Sequence, residues 1–459
     1  MTALFARHAL LPQGWQRDVL LEWDSGGDLT QVAPGARPPL NVARAEYVLP
    51  GMINLHSHAF QRALGGLTER AGSVSNNAPD SFWTWRDLMY RFAASITPEQ
   101  VEAIAAQLFS ECLRHGYTAL CEFHYIQRDP AGRTYARPAE MAERVAAAAQ
   151  ATGIGLTLLP VLYSHAGFGG QPLKPAQRRF RTDTADVLEI VAALAPLRSG
   201  QLEVGAAPHS LRAAGIEQIR ELVDGLPAGR PLHIHIAEQQ AEVDQSLAFS
   251  GQRPVDYLLS QIDIDARWCL VHATHLTADE TMRLAASGAV AGLCPTTEAN
   301  LGDGLFPLAP YIAAGGVFGI GSDSHVSQSP VEELRWLEYG QRLAGQRRNV
   351  AATPAMPDVA AFLWQGALRG GAQAAGRPVG ALAVGKRADV LVLDASHVNL
   401  DGVDAGDVLG RFLFSGNDNL VKDVLVGGRW VVQNGMHIAQ GAIASRYKLA
   451  LHQLREVSR

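Results

Sequence analysis

From about residue 50 onward, apolar runs of strand length alternate with longer Ala- and Leu-rich stretches of helical character. The strand-like runs are "EYVLPGMINL", "YTALCEFHY", "IGLTLLPVLY", "LEVGAAPHS", "PLHIHIA", "WCLVHAT", "AVAGLCP" and "VFGIGSD". The helical stretches include "TPEQVEAIAAQLFSECLRHG", "PAEMAERVAAAAQATG" and "PVEELRWLEYGQRLAG". Several open with a cap or an early Pro or Glu and close at Gly, as helices do. Eight buried strands alternating with helices predict an α/β fold, a parallel TIM-like (β/α)8 barrel, over residues 50–377.

The two ends of the chain read differently. Residues 1–49 hold short β segments, "ALFARHALLP", "QRDVLLEWD" and "AEYVLP", separated by turns such as "SGGD" and "PGARPP". The strand signal returns over 378–459, in "GKRADVLVLD" and "VKDVLVGGRWVVQNG", before an amphipathic stretch, "IASRYKLALHQLREV". Both ends are expected to pair into one small β-sandwich, followed by a terminal helix. Two Gly/Ser/Asn-rich loops, "RAGSVSNNAPDS" and "SHAGFGGQP", read either as lids or as ordinary surface loops.

Composition narrows the class. The chain has 459 residues, too many for one ordinary core and suited to a large barrel plus a smaller module. Hydrophobic content of 47% with 18% charge is globular. A net charge of −6 gives no basic footprint for nucleic acid or a membrane surface. No apolar run reaches membrane-spanning length, and the N-terminal stretch lacks a signal-peptide core. Cys112, Cys121, Cys269 and Cys294 are widely spaced, without a C-x-x-C pair. They read as reduced core residues of a cytoplasmic protein.

The chemistry collects at the C-terminal ends of the predicted strands, where barrel enzymes place it. "NLHSHAF" ends the first strand with His56 and His58, two residues apart and so on one face of an extended chain. The second ends in His124 and Tyr125, the fourth in His209 and Arg212, and the fifth in His233, His235 and Glu238. The sixth ends in His272 and the eighth in Ser322 and Asp323. A separate reason for each buried polar group is costly; one metal site explains most of them. His56, His58, His235 and Asp323 are the expected ligands. His233 lies one layer deeper and reads as a hydrogen-bonded core histidine. Three imidazoles and a carboxylate leave room for a water, whose pKa Zn²⁺ would lower towards neutrality.

This pattern resembles the amidohydrolase superfamily over nearly the whole chain. Its marks are H-x-H after strand one, H-x-x-E at strand five, His at strand six and Asp at strand eight. Strand four carries no lysine, and "HIAE" matches the mononuclear deaminases, which implies C–N hydrolysis with release of ammonia. Within the superfamily the chain is more closely similar to the formimidoylglutamate deiminase family, the N-formimino-L-glutamate iminohydrolases of histidine breakdown. The stretches carrying that likeness are "NLHSHAFQRA", "DSFWTWRDLMYR", "EFHYI", "LLPVLYSHAGFGGQP", "HIHIAEQQ", "CLVHATH", "TTEANLGDG" and "GIGSDSHVS". The resemblance implies one divalent metal, Zn²⁺, and substrate contacts from Gln61, Arg86, Tyr125, His209 and Arg212. It implies conversion of N-formimino-L-glutamate to N-formyl-L-glutamate and ammonia. A homodimer acting on a small molecule, with no nucleic-acid or membrane partner, is expected. The departure is a longer loop around Ser73 to Ala78, ahead of Arg86.

Residue chemistry agrees without the family. A substrate with two carboxylates calls for arginines, which bind carboxylates in a fork. Arg212 suits that task; Arg86 suits it too, or else stacks on Trp83 or Trp85. Tyr125 reads as a contact or a rim aromatic, and Gln61 as a contact or a solvated loop residue. His124 alternates away from Tyr125 and reads as structural. Glu238 is the expected proton carrier, His272 orients the water or helps deprotonate it, and Asp323 shares that proton as well as binding metal. Ser322 reads as a turn residue or as one that orients Asp323. No G-x-S-x-G elbow and no P-loop supports a serine hydrolase or an NTPase. Two other readings stay open: an aminohydrolase of a purine, pterin or related ring, and a catalytically inactive barrel scaffold.

Overall fold

The computed structural model describes residues 2–69 and 82–457; the "RAGSVSNNAPDS" loop and the Ser73–Ala78 departure lie outside them. Eight parallel strands form the barrel: β1 Met52–Ser57, β2 Tyr117–His124, β3 Gly155–Leu162, β4 Leu202–Val204 with a short continuation at Ala207–Pro208, β5 Leu232–Ile236, β6 Trp268–His272, β7 Val290–Leu293 and β8 Val317–Ile320. β1 to β4 pair in order, as do β5 to β8. Two isolated parallel bridges join these halves, Ala206 to Leu232 and Ser57 to Asp323. Nearly every barrel strand residue is buried. That is why the strands read as continuous apolar runs rather than as an alternation.

The helices follow their end signals. Pro98–His115 starts at Thr97, whose hydroxyl accepts the Gln100 N–H while the Gln100 side chain accepts the Thr97 N–H; it stops at Gly116. Pro330–Gly345 carries Pro at its first position and a Ser329 cap. The terminal helix Gln440–Val457 lies against Pro98–His115, joined through Gln100 to Gln453 and Glu102 to Arg446.

Both chain ends build the small β-sandwich as one hydrogen-bonded path of strands. In spatial order it runs Met436–His437, Arg429–Gln433, Val421–Val426, Val390–Leu393, Ala43–Pro50, Ala3–Leu11, Gly14–Trp23 and Leu29–Ala33. Ala3–Leu11 and Ala43–Pro50 pair in parallel and the other neighbours antiparallel. Leu4, Leu21, Trp23, Val48, Val390 and Leu425 share a core of their own.

Two strand expectations are corrected. "EYVLPGMINL" is two strands: it leaves the sandwich at Pro50 and enters the barrel at Met52. Gly51 makes the switch against Thr118, where a Cβ would lie 2.1 Å from the hydroxyl oxygen. "LEVGAAPHS" is broken after Val204.

Candidate active site

The barrel mouth is built from strand ends that turn sharply. The chain leaves β5, β6 and β8 through Ala237, His272 and Asp323, all with positive φ (49°, 69° and 43°). This conformation is rare for non-glycine residues and is held here by the surrounding structure. The β1–β8 seam fixes two of the segments together: the Asp323 N–H donates to the His56 carbonyl at 3.0 Å, and the His58 N–H donates to the Asp323 carbonyl at 3.2 Å.

His56, His58, His235 and Asp323 converge there, each buried, with one donor atom apiece all within 4.8 Å of one another. Asp323 Oδ1 lies 3.4 Å from His56 Nε2 and 3.3 Å from His58 Nε2. His235 Nε2 is 3.0 Å from His56 Nε2. The outer nitrogens assign the tautomers. His58 Nδ1 is 2.9 Å from the Phe123 carbonyl and His235 Nδ1 is 3.0 Å from the His209 carbonyl, so each proton sits on Nδ1. Their Nε2 lone pairs therefore face the centre beside an acceptor-only carboxylate. His56 can bring at most one hydrogen to that centre, too few for the acceptors gathered there. A cation satisfies all four, so the donor set fits a metal ion. Burial pushes His56 down to about 3 and lowers His58 and His235, keeping the imidazoles neutral as ligands must be. Asp323 is held below the usual carboxylate range, where hydrogen bonding to His56 and the nearby imidazoles outweigh the cost of burial.

Beside this cluster opens a small cavity of about 50 Å³. Gln61, Arg86, Tyr125, His209 and Arg212 line it together with Glu238, His272 and Asp323. Gln61 and Tyr125 are buried, which removes the solvated-loop and rim readings; the Gln61 amide donates to the Tyr125 hydroxyl at 2.7 Å. The Arg86 guanidinium lies 5.4 Å from the centre of the Tyr90 ring while still lining the cavity. Arg212 Nη2 lies 3.9 Å from Glu238 and 3.8 Å from Glu242. His233 and His124 stay outside the cavity: His233 Nε2 is 2.9 Å from the Ala374 carbonyl, and His124 is buried.

The family model described as "Amidohydrolase family" matches residues 47–431, and that described as "Formimidoylglutamate deiminase HutF, N-terminal domain" matches residues 1–39. The chain is 52% identical to the formimidoylglutamate deiminase of Pseudomonas aeruginosa over 99% of its own length and all of the relative's. This chain belongs to the formimidoylglutamate deiminases of the amidohydrolase family. A crystal structure of an amidohydrolase from Brucella melitensis, 42% identical, superposes with a TM-score of 0.93 over 99% of this chain and 100% of that one. The 8-oxoguanine deaminase of Pseudomonas aeruginosa is 29% identical over 90% of this chain and 88% of its own.

In this amidohydrolase, Glu238 and His272 sit side by side next to the His/Asp cluster. His272 Nε2 is 3.8 Å from Glu238 Oε1 and 3.9 Å from Asp323 Oδ2. Its Nδ1 lies 3.3 Å from Glu298, a carboxylate that sequence reading missed. Burial works against charge on His272, but Glu238, Glu298 and Asp323 outweigh it and lift its pKa to about 10. Burial also pushes Glu238 above the usual carboxylate range, against the pull of His272 and Arg212.

A second missed set lies behind the ligands. Asn54 Nδ2 donates to Ser322 Oγ at 2.6 Å, Ser322 Oγ meets His325 Nδ1 at 3.0 Å, and His325 Nε2 meets Ser57 Oγ at 3.1 Å. Ser57 Oγ donates to Glu122 at 2.6 Å, and Glu122 also accepts the Ala59 N–H at 2.7 Å. One direction of donation satisfies the whole chain, from Asn54 through to Glu122. Ser322 is therefore a node of this network rather than a turn residue. Among the described residues no helix is long and apolar enough to cross a membrane.

Proposed function

We propose that this chain hydrolyses N-formimino-L-glutamate to N-formyl-L-glutamate and ammonia, a step of histidine degradation, with one Zn²⁺ held by His56, His58, His235 and Asp323. The observation that carries the reading is the placing of two arginines, Arg86 and Arg212, in the cavity that opens onto the His/Asp cluster. A dianionic linear substrate needs those cations; a neutral ring amine does not. The named relative at 52% identity supports the same substrate.

A bound Zn²⁺ supplies Lewis acidity and, through it, a water acidic enough to attack at neutral pH. Arg212 and Arg86 bind the two carboxylates and so set the formimino carbon over the cluster. Gln61, Tyr125 and His209 contact the substrate nearer the reacting end. Glu238 takes the proton of the attacking water as the C–O bond forms and delivers it to the imino nitrogen, then carries the hydroxyl proton of the tetrahedral adduct to the same nitrogen. The C–N bond breaks, ammonia leaves, and a formyl group remains on the glutamate nitrogen. His272 orients the water beside Glu238, and Glu298 fixes the ring of His272.

The test is substrate selection. Arg212→Met and Arg86→Met should each lower kcat/KM for N-formimino-L-glutamate about tenfold to a hundredfold, with metal content unchanged, since a charge-assisted bond to a carboxylate contributes about 1.5–3 kcal/mol. A formimino compound without carboxylates should be a poor substrate and lose little more in either variant. Normal turnover of N-formimino-L-glutamate by both variants would defeat this reading and favour a ring aminohydrolase.

A further inference from the structure

Tyr90, on the helix Phe82–Ala93, and Tyr163, the residue after β3, both line the cavity, and neither figures in the chemistry above. Their hydroxyls lie 3.2 Å apart. Gln177, buried in the segment that follows β3, reaches both: its Nε2 donates to Tyr163 at 2.8 Å and to Tyr90 at 3.3 Å. The amide cannot be turned round, because its Oε1 accepts the Lys174 N–H at 2.9 Å.

Counting hydrogens shows what is left over. The two amide hydrogens go to the two phenol oxygens, and one phenol donates to the other. The second phenol keeps an O–H, and among the described residues no other acceptor lies within hydrogen-bond distance of either hydroxyl. Both rings face the cavity, so that hydrogen is available to a ligand there. Two donors are nearby as well: Arg86 lies over the Tyr90 ring, and Arg212 lines the same cavity. A ligand group set among this phenol and the two guanidinium groups is best an acceptor, and a carboxylate accepts on every lone pair.

We propose that the Tyr90–Tyr163 pair, clamped by Gln177, is a binding subsite that donates its spare phenol hydrogen to one carboxylate of the substrate, between Arg86 and Arg212. This rests on the dianionic substrate proposed above. The arginines supply charge; the phenol adds a directed, uncharged donor that fixes where the carboxylate sits.

The clamp makes an unusual prediction. Gln177 holds either phenol, so a single phenol still offers a hydrogen. Tyr90→Phe and Tyr163→Phe alone should each raise KM for N-formimino-L-glutamate by less than about twofold, while the double variant should raise it about tenfold or more. The inhibition constant of glutarate, a dicarboxylate without the formimino group, should rise in parallel. Metal content and kcat should stay near those of the wild type, which a merely structural role would not preserve. If the double variant fails to fold, Gln177→Met, which releases both phenols, should raise KM in its place. A wild-type-like KM and glutarate constant in the double variant, or single effects that simply add up to the double, would overturn the subsite while leaving the functional reading intact. A wild type inert towards N-formimino-L-glutamate would instead overturn the reading on which it rests.

Discussion

Glu238 is three residues beyond His235, close to the ligand cluster but outside it, and its burial raises its proton affinity. Glu238→Gln should keep metal and substrate binding yet lose about a hundredfold or more in kcat, because an amide cannot shuttle protons. Metal analysis beside steady-state kinetics checks this, and near-normal turnover would remove Glu238 from its role. A second consequence concerns pH. A proton acceptor works ionised, so a raised pKa moves the acid limb upward: kcat/KM should begin to fall well above the ordinary glutamate value of 4.5 as the pH is lowered. A profile flat down to pH 5 would contradict that. His56 and His58 were legible because H-x-H places two side chains on one face of an extended chain, where spacing alone decides geometry; Glu238, three residues after His235 and past the end of β5, reaches the site through the turn at Ala237. Glu298 and Glu122 were not. Glu298 meets His272 only through the fold of the segment after β7, and Glu122 is a lone acid inside the apolar run "YTALCEFHY", with nothing in the sequence to pair it with Ser57.

At the scale of elements, the site depends on how tightly β1 lies against β8. Gly321 packs on the His56 main chain, where a Cβ would sit 2.7 Å from the His56 Cβ and 2.8 Å from its nitrogen. Neither neighbour is the loose end of a flexible side chain, so Gly321→Ala must push the two strands apart. It should cost about 1–3 kcal/mol and weaken metal retention, measured by denaturant unfolding and by chelator competition. Wild-type stability with full metal retention would show that the seam yields. The same elements show the limit of pattern reading. The alternation of strands and helices was clear, because several helices carry a capping side chain at one end and Gly at the other. The passage from sandwich to barrel at Gly51 was not, because residues on both sides are apolar and buried and no change of polarity marks the switch.

For the whole molecule, the four proposed ligands come from both halves of the barrel: His56 and His58 from the half that begins with β1, His235 and Asp323 from the half that ends with β8. Metal bound there ties the halves at the mouth and stabilises the folded state by mass action, about 2.7 kcal/mol at a free metal concentration of about 100 Kd. Chelation should therefore lower Tm by several degrees, and one equivalent of Zn²⁺ per chain should restore it. Recovery that needs two equivalents would contradict the single-ion site. The decisive measurement is the reaction itself. Zn²⁺-loaded wild-type protein should release ammonia from N-formimino-L-glutamate, one for each N-formyl-L-glutamate formed, and release none from guanine. Ammonia from guanine with none from N-formimino-L-glutamate would contradict it.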